Sequence, residues 1–242
     1  MSILFFSFKV FSATNDYANL PFLDENIKFG LGLTFSKIEV NSDAGNYFLL
    51  SQSNPRFEVS YSGPMLDLYR HKFTAAYLQE IFITENPYMV IKTKEPQGSI
   101  YMSWQPMWYN ESQLFVKHFK FAFKNSSVVS ELPNTLNAIG DIANRYALEA
   151  GIGFTWYALT VSKFPLGLDA EILYSQTLFD HSKISIYNGF TYRFAIDFEF
   201  KKRTLFSGWG FRAFYEFEEI RNQYSQSVNK QIGILLNKAF AF

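Results

Sequence analysis

The sequence predicts an all-β fold: a closed antiparallel β-barrel that crosses a membrane by its strands. Three observations lead there. Large apolar residues alternate with small or polar ones at period two in about ten stretches, as strands with two different faces require. One face is built from Phe, Tyr, Ile and Leu, while the other repeats Gly, Ser, Thr and Ala with scattered charges. Finally, the chain of 242 residues carries 28 Phe and 15 Tyr at a mean hydropathy of -0.07. Apolar and polar residues are therefore finely interleaved, as lipid and lumen demand of a transmembrane strand.

A soluble sandwich or small barrel also alternates, but it turns its large side chains inward, where about eight strands leave little room. Small residues suit a narrow interior, and bulky apolar ones suit lipid. The predicted strands, at about 11–18 residues, also exceed the soluble mode of about 5–6. Beyond the extreme N-terminus no stretch approaches the roughly 18 apolar residues of a membrane helix.

Taken in order, residues 14–26 are polar and turn-rich. The first strand sets Ile27, Phe29, Leu31, Leu33 and Phe35 against Lys28, Gly30, Gly32, Thr34 and Ser36. A polar loop, Asn41 to Asn54, leads to a second strand with Phe57, Val59 and Tyr61 on its apolar face, closed by a turn at Ser62-Gly63-Pro64. The third covers about 66–83, with Phe73, Ala75, Tyr77, Ile81 and Ile83 on one side. The fourth covers about 88–105, although Lys94-Glu95-Pro96-Gln97-Gly98 is a potential dividing turn; a connection at 106–113 follows. The fifth sets Phe115, Phe119, Phe121 and Phe123 against Val116, His118, Lys120, Ala122 and Lys124. The longest loop is expected at about 125–145, with a short helix near Leu136 to Ala143. Four clean strands complete the chain: Tyr146–Tyr157, Leu166–Ser175, Ile184–Phe200 and Trp209–Glu218, before the terminal one.

That terminal strand alternates Ile232, Ile234, Leu236, Phe240 and Phe242 with Gln231, Gly233, Asn237, Ala239 and Ala241. It resembles the C-terminal closing strand of Gram-negative outer-membrane β-barrels. The resemblance implies the outer membrane as location, the lipid bilayer as solvent, and the outer-membrane insertion machinery as a partner that reads the final aromatic residue. It also implies an even strand number: ten, with the last strand closing onto Ile27 to Phe35, or twelve if the fourth strand divides and 125–145 supplies one more. Short turns at Ser62 to Met65, Lys163 to Pro165 and Lys201 to Thr204 would then face the periplasm, and loops 41–54, 125–145 and about 221–228 the exterior. Residues 1–13 read as the tail of a secretory signal peptide, with Val10-Phe11-Ser12 or Phe11-Ser12-Ala13 as a small-residue cleavage context, although Lys9 interrupts the apolar run. Residues 14–242 would form one barrel domain.

Within that frame, Trp104, Trp108, Trp156, Trp209, Phe240 and Phe242 all fall toward the periplasmic side, where a membrane-interface girdle belongs. The inward face carries the ionisable residues. Asp169, Glu171, Asp197 and Glu199 cluster near one end, and Arg70 and Lys72 lie opposite them, so salt bridges across the lumen are expected between the two sets. Arg56, Glu58, Lys120, Lys124, Glu149, Glu216 and Glu218 form a second layer, and Arg193 and Arg212 share the same face.

Several functions are excluded or disfavoured. Net charge is zero, which argues against nucleic acid; there is no Cys and the three His are scattered, which leaves no cofactor or metal site. Asp180-His181-Ser182 lacks the His-x-Ser pattern of outer-membrane phospholipases. It is only a fragment of the paired Asp residues and Asp–His couple of the omptin proteases. The expected function is therefore not enzymatic: a narrow, charge-lined passive channel for small solutes. The alternative is a structural or adhesive barrel whose lumen is plugged by salt bridges and whose external loops bind.

Overall fold

The computed structural model describes residues 25–42, 45–84, 96–110, 115–131, 140–159, 165–180, 186–200, 208–222 and 225–241. They form strands β1 (Asn26–Ser42), β2 (Gly45–Ser62), β3 (Tyr69–Glu80), β4 (Ile83–Thr84), β5 (Gln97–Tyr109) and β6 (Phe115–Glu131). These continue into β7 (Gly140–Leu159), β8 (Pro165–Asp180), β9 (Ile186–Glu199), β10 (Trp209–Asn222) and β11 (Ser225–Ala241). Every pairing is antiparallel, and β1 pairs with both β2 and β11, so the sheet closes on itself. Both β3 and β4 pair with β2, and together they make one stave interrupted at Ile81 and Phe82. The result is a barrel of ten staves. The closing seam runs from Asn26↔Ala241 to Ser42↔Ser225, which places Ile27 opposite Phe240 and Phe35 opposite Ile232.

The barrel is inside-out relative to a soluble protein. Leu31 is 57% exposed and Ile152 56%, whereas the residues between them on the same ladders point inward and are covered. Apolar side chains thus form the outer wall, as contact with hydrocarbon requires. We call the end holding Asn26 and Ala241 the lower end, and the end with the β1–β2, β6–β7 and β10–β11 connections the upper end.

Toward the upper end the polarity of the two faces reverses. On β1 the outward positions become Lys37 and Glu39, and the inward ones become the buried Ile38 and Val40. This reversal corrects the expected loops. Segment 41–54 is mostly strand, with Ser42 paired directly to Gly45. Segment 221–228 belongs largely to β10 and β11, with Arg221 opposite Gln226. In 125–145, β6 continues to Glu131 and β7 begins at Gly140, so Gly140 to Ala143 are strand and not helix. Above the hydrocarbon a strand no longer needs an apolar outer face, so polar composition stops signalling a loop there. A bulge at Thr34/Ser36, with Ser53 in the left-handed region (φ 56), absorbs the Ser-Asn-Pro stretch of β2.

The connection expected at 106–113 also shrinks, because β5 runs to Tyr109 and Pro106 pairs with His71. Pro106 sits where the β5–β6 ladder lapses between Trp104↔Phe121 and Met107↔His118, so its missing N–H costs that ladder nothing. The signal-peptide segment, residues 88–95 of the expected fourth strand, the Lys201 to Thr204 turn, His181 and Phe242 lie outside the described residues.

Ile152 lies near the middle of the outer wall. Ile152→Lys is expected to cost about 2–4 kcal/mol, read from reversible urea unfolding in lipid vesicles.

Candidate functional site

The lumen gathers the ionisable residues. Its centre is Arg193 on β9. The guanidinium donates to Glu216 on β10 (2.7 Å), to Glu149 on β7 (2.8 Å) and to the Tyr101 hydroxyl on β5 (2.9 Å). The Tyr101 ring also lies 4.5 Å from the guanidinium carbon, a cation–π contact. One side chain thus ties together strands from both sides of the ring.

Around it the ion pairs are short. Lys124 on β6 bonds Glu216 at 2.6 Å and Glu218 at 2.8 Å, and Arg145 on β7 bonds Glu218 at 2.6 Å. Arg145 is completely buried and also donates to Thr177 and Ser175, both at 2.8 Å. Lys120 bonds both oxygens of Glu171 at 2.7 Å, and His118 Nε2 lies 3.2 Å from the same carboxylate. Between His118 on β6 and Glu171 on β8 stands Gly153 of β7, where a Cβ would come within 2.3 Å of His118 Nε2. Glycine at this position lets the two side chains meet across an intervening strand.

A second group surrounds Arg212 and is looser. Its three nitrogens face Glu58 at 3.6 Å, Asp169 at 3.7 Å and Asp197 at 3.9 Å. Arg56 bonds Glu58 at 3.2 Å and lies over the Phe214 ring, and Lys28 pairs with Glu199. Arg70 hydrogen-bonds Tyr109. The expected partners are therefore redistributed. The carboxylates of Glu199, Asp169, Asp197 and Glu171 are taken by Lys28, Arg212 and Lys120, and not by Arg70 or Lys72. Arg70 and Lys72 line the same cavity as Asp197 and Glu199. The tilt of the staves shifts the level at which opposite strands meet, which a linear strand count does not carry.

Apolar clusters flank this polar core. At the lower end Met107, Tyr109 and Val116 pack together with Met65 and Tyr157. At the upper end Ile38, Val40, Leu49 and Phe82 pack against Val129 of β6 and Ile142 of β7. Neighbouring Val128 packs instead on Ile220 of β10 beside Ala143. Successive strand residues point to opposite faces, and Val128 and Val129 are only 3% and 2% exposed. The top of the β6–β7 pair is therefore covered on both faces, which places it inside the mouth and not in the outer wall. The cavities left in the lumen are small, about 70 Å³ and 60 Å³.

No family model and no curated protein matches the chain. Solved structures do. The outer membrane protease OmpT from Escherichia coli aligns at a TM-score of 0.53 and 10% identity, covering 95% of this chain and 100% of that one. An outer membrane channel from Pseudomonas putida F1 aligns at 0.50 and 8% identity, covering 93% and 98%. The fold is that of a Gram-negative outer-membrane β-barrel. At such identities the likeness shows the fold alone and carries no residue across.

In this outer-membrane barrel fold, Trp104, Trp108, Trp156, Trp209 and Phe240 all face outward. Trp104 Nε1 donates to His71 Nδ1 at 3.0 Å, Trp108 lies against Tyr69, and Phe240 meets Phe29 edge-on across the closing seam. Lys28, Tyr101, His118 and Arg145 join the site beyond the residues expected from the sequence. Arg145 was hidden in an expected loop, although it continues the inward phase of Ala147 and Glu149.

His118, Asp169 and Glu171 offer ligand atoms within 4.8 Å of one another, a spacing a metal ion could use. Lys120 already neutralises both Glu171 oxygens and Arg212 stands by Asp169, so the arrangement is chemically an ion-pair cluster.

Removing one partner of a buried pair strands the other charge. Arg193→Met is expected to cost about 3–5 kcal/mol in reversible urea unfolding. Adding Glu149→Gln should restore part of that loss, because one orphaned carboxylate is then gone.

Proposed function

We propose that this protein is an outer-membrane barrel with a closed lumen, a rigid scaffold whose working surface is its upper rim. On this reading the lower end faces the periplasm and the upper end the cell exterior. The observation that carries it is the β6–β7 top, buried on both faces within the mouth. Beneath it lies the Arg193 network, and beneath that the lower apolar cluster. A passive channel needs a continuous water path, and the two cavities lined by Lys72 and Arg212 on that route are small.

The outward charges of the rim support a surface role. Glu39 is held by Lys37 at 2.9 Å and Lys230 at 2.7 Å, and Glu219 bonds Arg221 at 2.6 Å. Such a balanced, laced rim is a stiff polar platform above the hydrocarbon. Trp104, Trp108, Trp156, Trp209 and Phe240 would seat the lower edge at the membrane interface, where an indole keeps its ring in the apolar zone and its N–H near water. The terminal strand would be the segment recognised by the insertion machinery. The similar protease and channel folds lend support to neither activity here, and we read the protein as non-enzymatic.

Conductance across planar bilayers tests the closed lumen. The folded protein is expected to give no sustained conductance. Val129→Ser combined with Ile142→Ser should loosen the upper cluster and produce intermittent openings while heat-modifiable migration is retained. Steady ohmic conductance from the unmodified protein would overturn the reading.

A further inference from the structure

The charges of the lumen do not balance locally. The Arg193 group holds Lys120, Lys124, Arg145 and Arg193 against Glu149, Glu171, Glu216 and Glu218, four of each sign, with the buried Glu80 carboxyl beside it hydrogen-bonded by Ser99 and Gln231. Around Arg212 the cations are Lys28, Arg56, Arg70, Lys72 and Arg212, and the carboxylates are Glu58, Asp169, Asp197 and Glu199: five against four. The surplus falls on Lys72. Among the described residues it makes no close ion pair; its electrostatic neighbours are Arg212, a like charge, and, at longer range, the carboxylates of Asp197, Glu58 and Asp169. A cation held inside a barrel without a close partner is costly.

Geometry marks the same place. The short contacts of the Arg193 group contrast with 3.6–3.9 Å around Arg212, beyond hydrogen-bonding reach. The Arg212 guanidinium is thus surrounded by charge but makes no close bond to it. Both lumen cavities are lined by Glu58, Lys72 and Arg212, so the space is shared between them and reaches the lower end near Asn26 and Ser62. Thr74 and Gln105 line the upper of the two. A volume of about 70 Å³ admits several waters, at about 10–15 Å³ each by the same measure, or one small polyatomic ion.

We infer that the lower lumen binds a small oxyanion between Lys72 and Arg212. A planar guanidinium fork and an ammonium point charge are the pair best suited to a carboxylate or phosphate. A single negative charge would bring the group to neutrality. Thr74 and Gln105 can donate further hydrogen bonds. The site does not rest on the closed-lumen reading, since binding is measured whether or not the barrel conducts.

The test is calorimetric titration of inorganic phosphate into the folded barrel in a non-ionic detergent at constant ionic strength. Saturable binding at one site is expected, weakened about tenfold or more by Lys72→Met and unchanged by Arg221→Gln on the outer rim. Should Lys72→Met fail to fold, Gln105→Leu serves as the second variant, with a smaller weakening expected. Phosphate should also raise the thermal midpoint of the unmodified protein above that in chloride at equal ionic strength. Absence of saturable binding at millimolar phosphate, or equal binding by Lys72→Met, would overturn the site.

Discussion

The placement of Arg193 among Glu149, Glu216 and Tyr101 is the interaction on which the interior depends. A guanidinium in a narrow lumen has lost most of its water and must be matched by fixed acceptors. Meeting that demand draws side chains from β5, β7 and β10 onto β9, and so sets the distance between opposite walls. Glu216 and Glu218 in turn need Lys124 and Arg145, which carries the same constraint to the mouth. Such networks specify one arrangement more than they add stability, because their Coulomb gain largely offsets desolvation. Stability comes mainly from the closed ladder, whose backbone groups have no alternative partner in lipid.

The second constraint is the change of solvent along the barrel axis. In the hydrocarbon zone the outer face is apolar and the inner face polar. Above it the outer face carries Lys37, Glu39, Glu219 and Arg221, while Ile38, Val40 and Leu49 move inside. The upper barrel is therefore built like a soluble barrel on top of a membrane one. That inversion is what allows the β6–β7 pair to tuck into the mouth: it finds an apolar lining there, and both of its own faces can be buried.

The sequence was most legible where lipid imposes its rule. The outward phase of Ile27 to Phe35, Tyr146 to Trp156 and Trp209 to Phe217, the closing seam and the ten-stave count all follow from strict alternation. Legibility failed above the hydrocarbon, where Asn125-Ser126-Ser127 and Asn41 to Asn54 read as loops because polar residues no longer distinguish a strand. It failed again for pairing inside the lumen. Inward residues were identifiable by phase, but whether Asp197 meets Arg212 or Lys72 depends on strand tilt and side-chain reach. Tyr101 was missed because strand four had no resolvable phase in the sequence, and Gly153 because its value lies in what two other strands place across it.

A single introduced thiol offers the most direct test of a filled lumen, since the chain contains no Cys. Ala195 points inward beside Arg193, is 6% exposed and is small enough for Ala195→Cys to fit. A charged, membrane-impermeant thiol reagent added from the upper side should leave this residue unmodified in the folded barrel and label it fully after unfolding. Lys37→Cys on the rim should react at once. Rapid labelling of Ala195→Cys in the folded protein, at a rate near that of the rim position, would mean an open water path and contradict the closed interior.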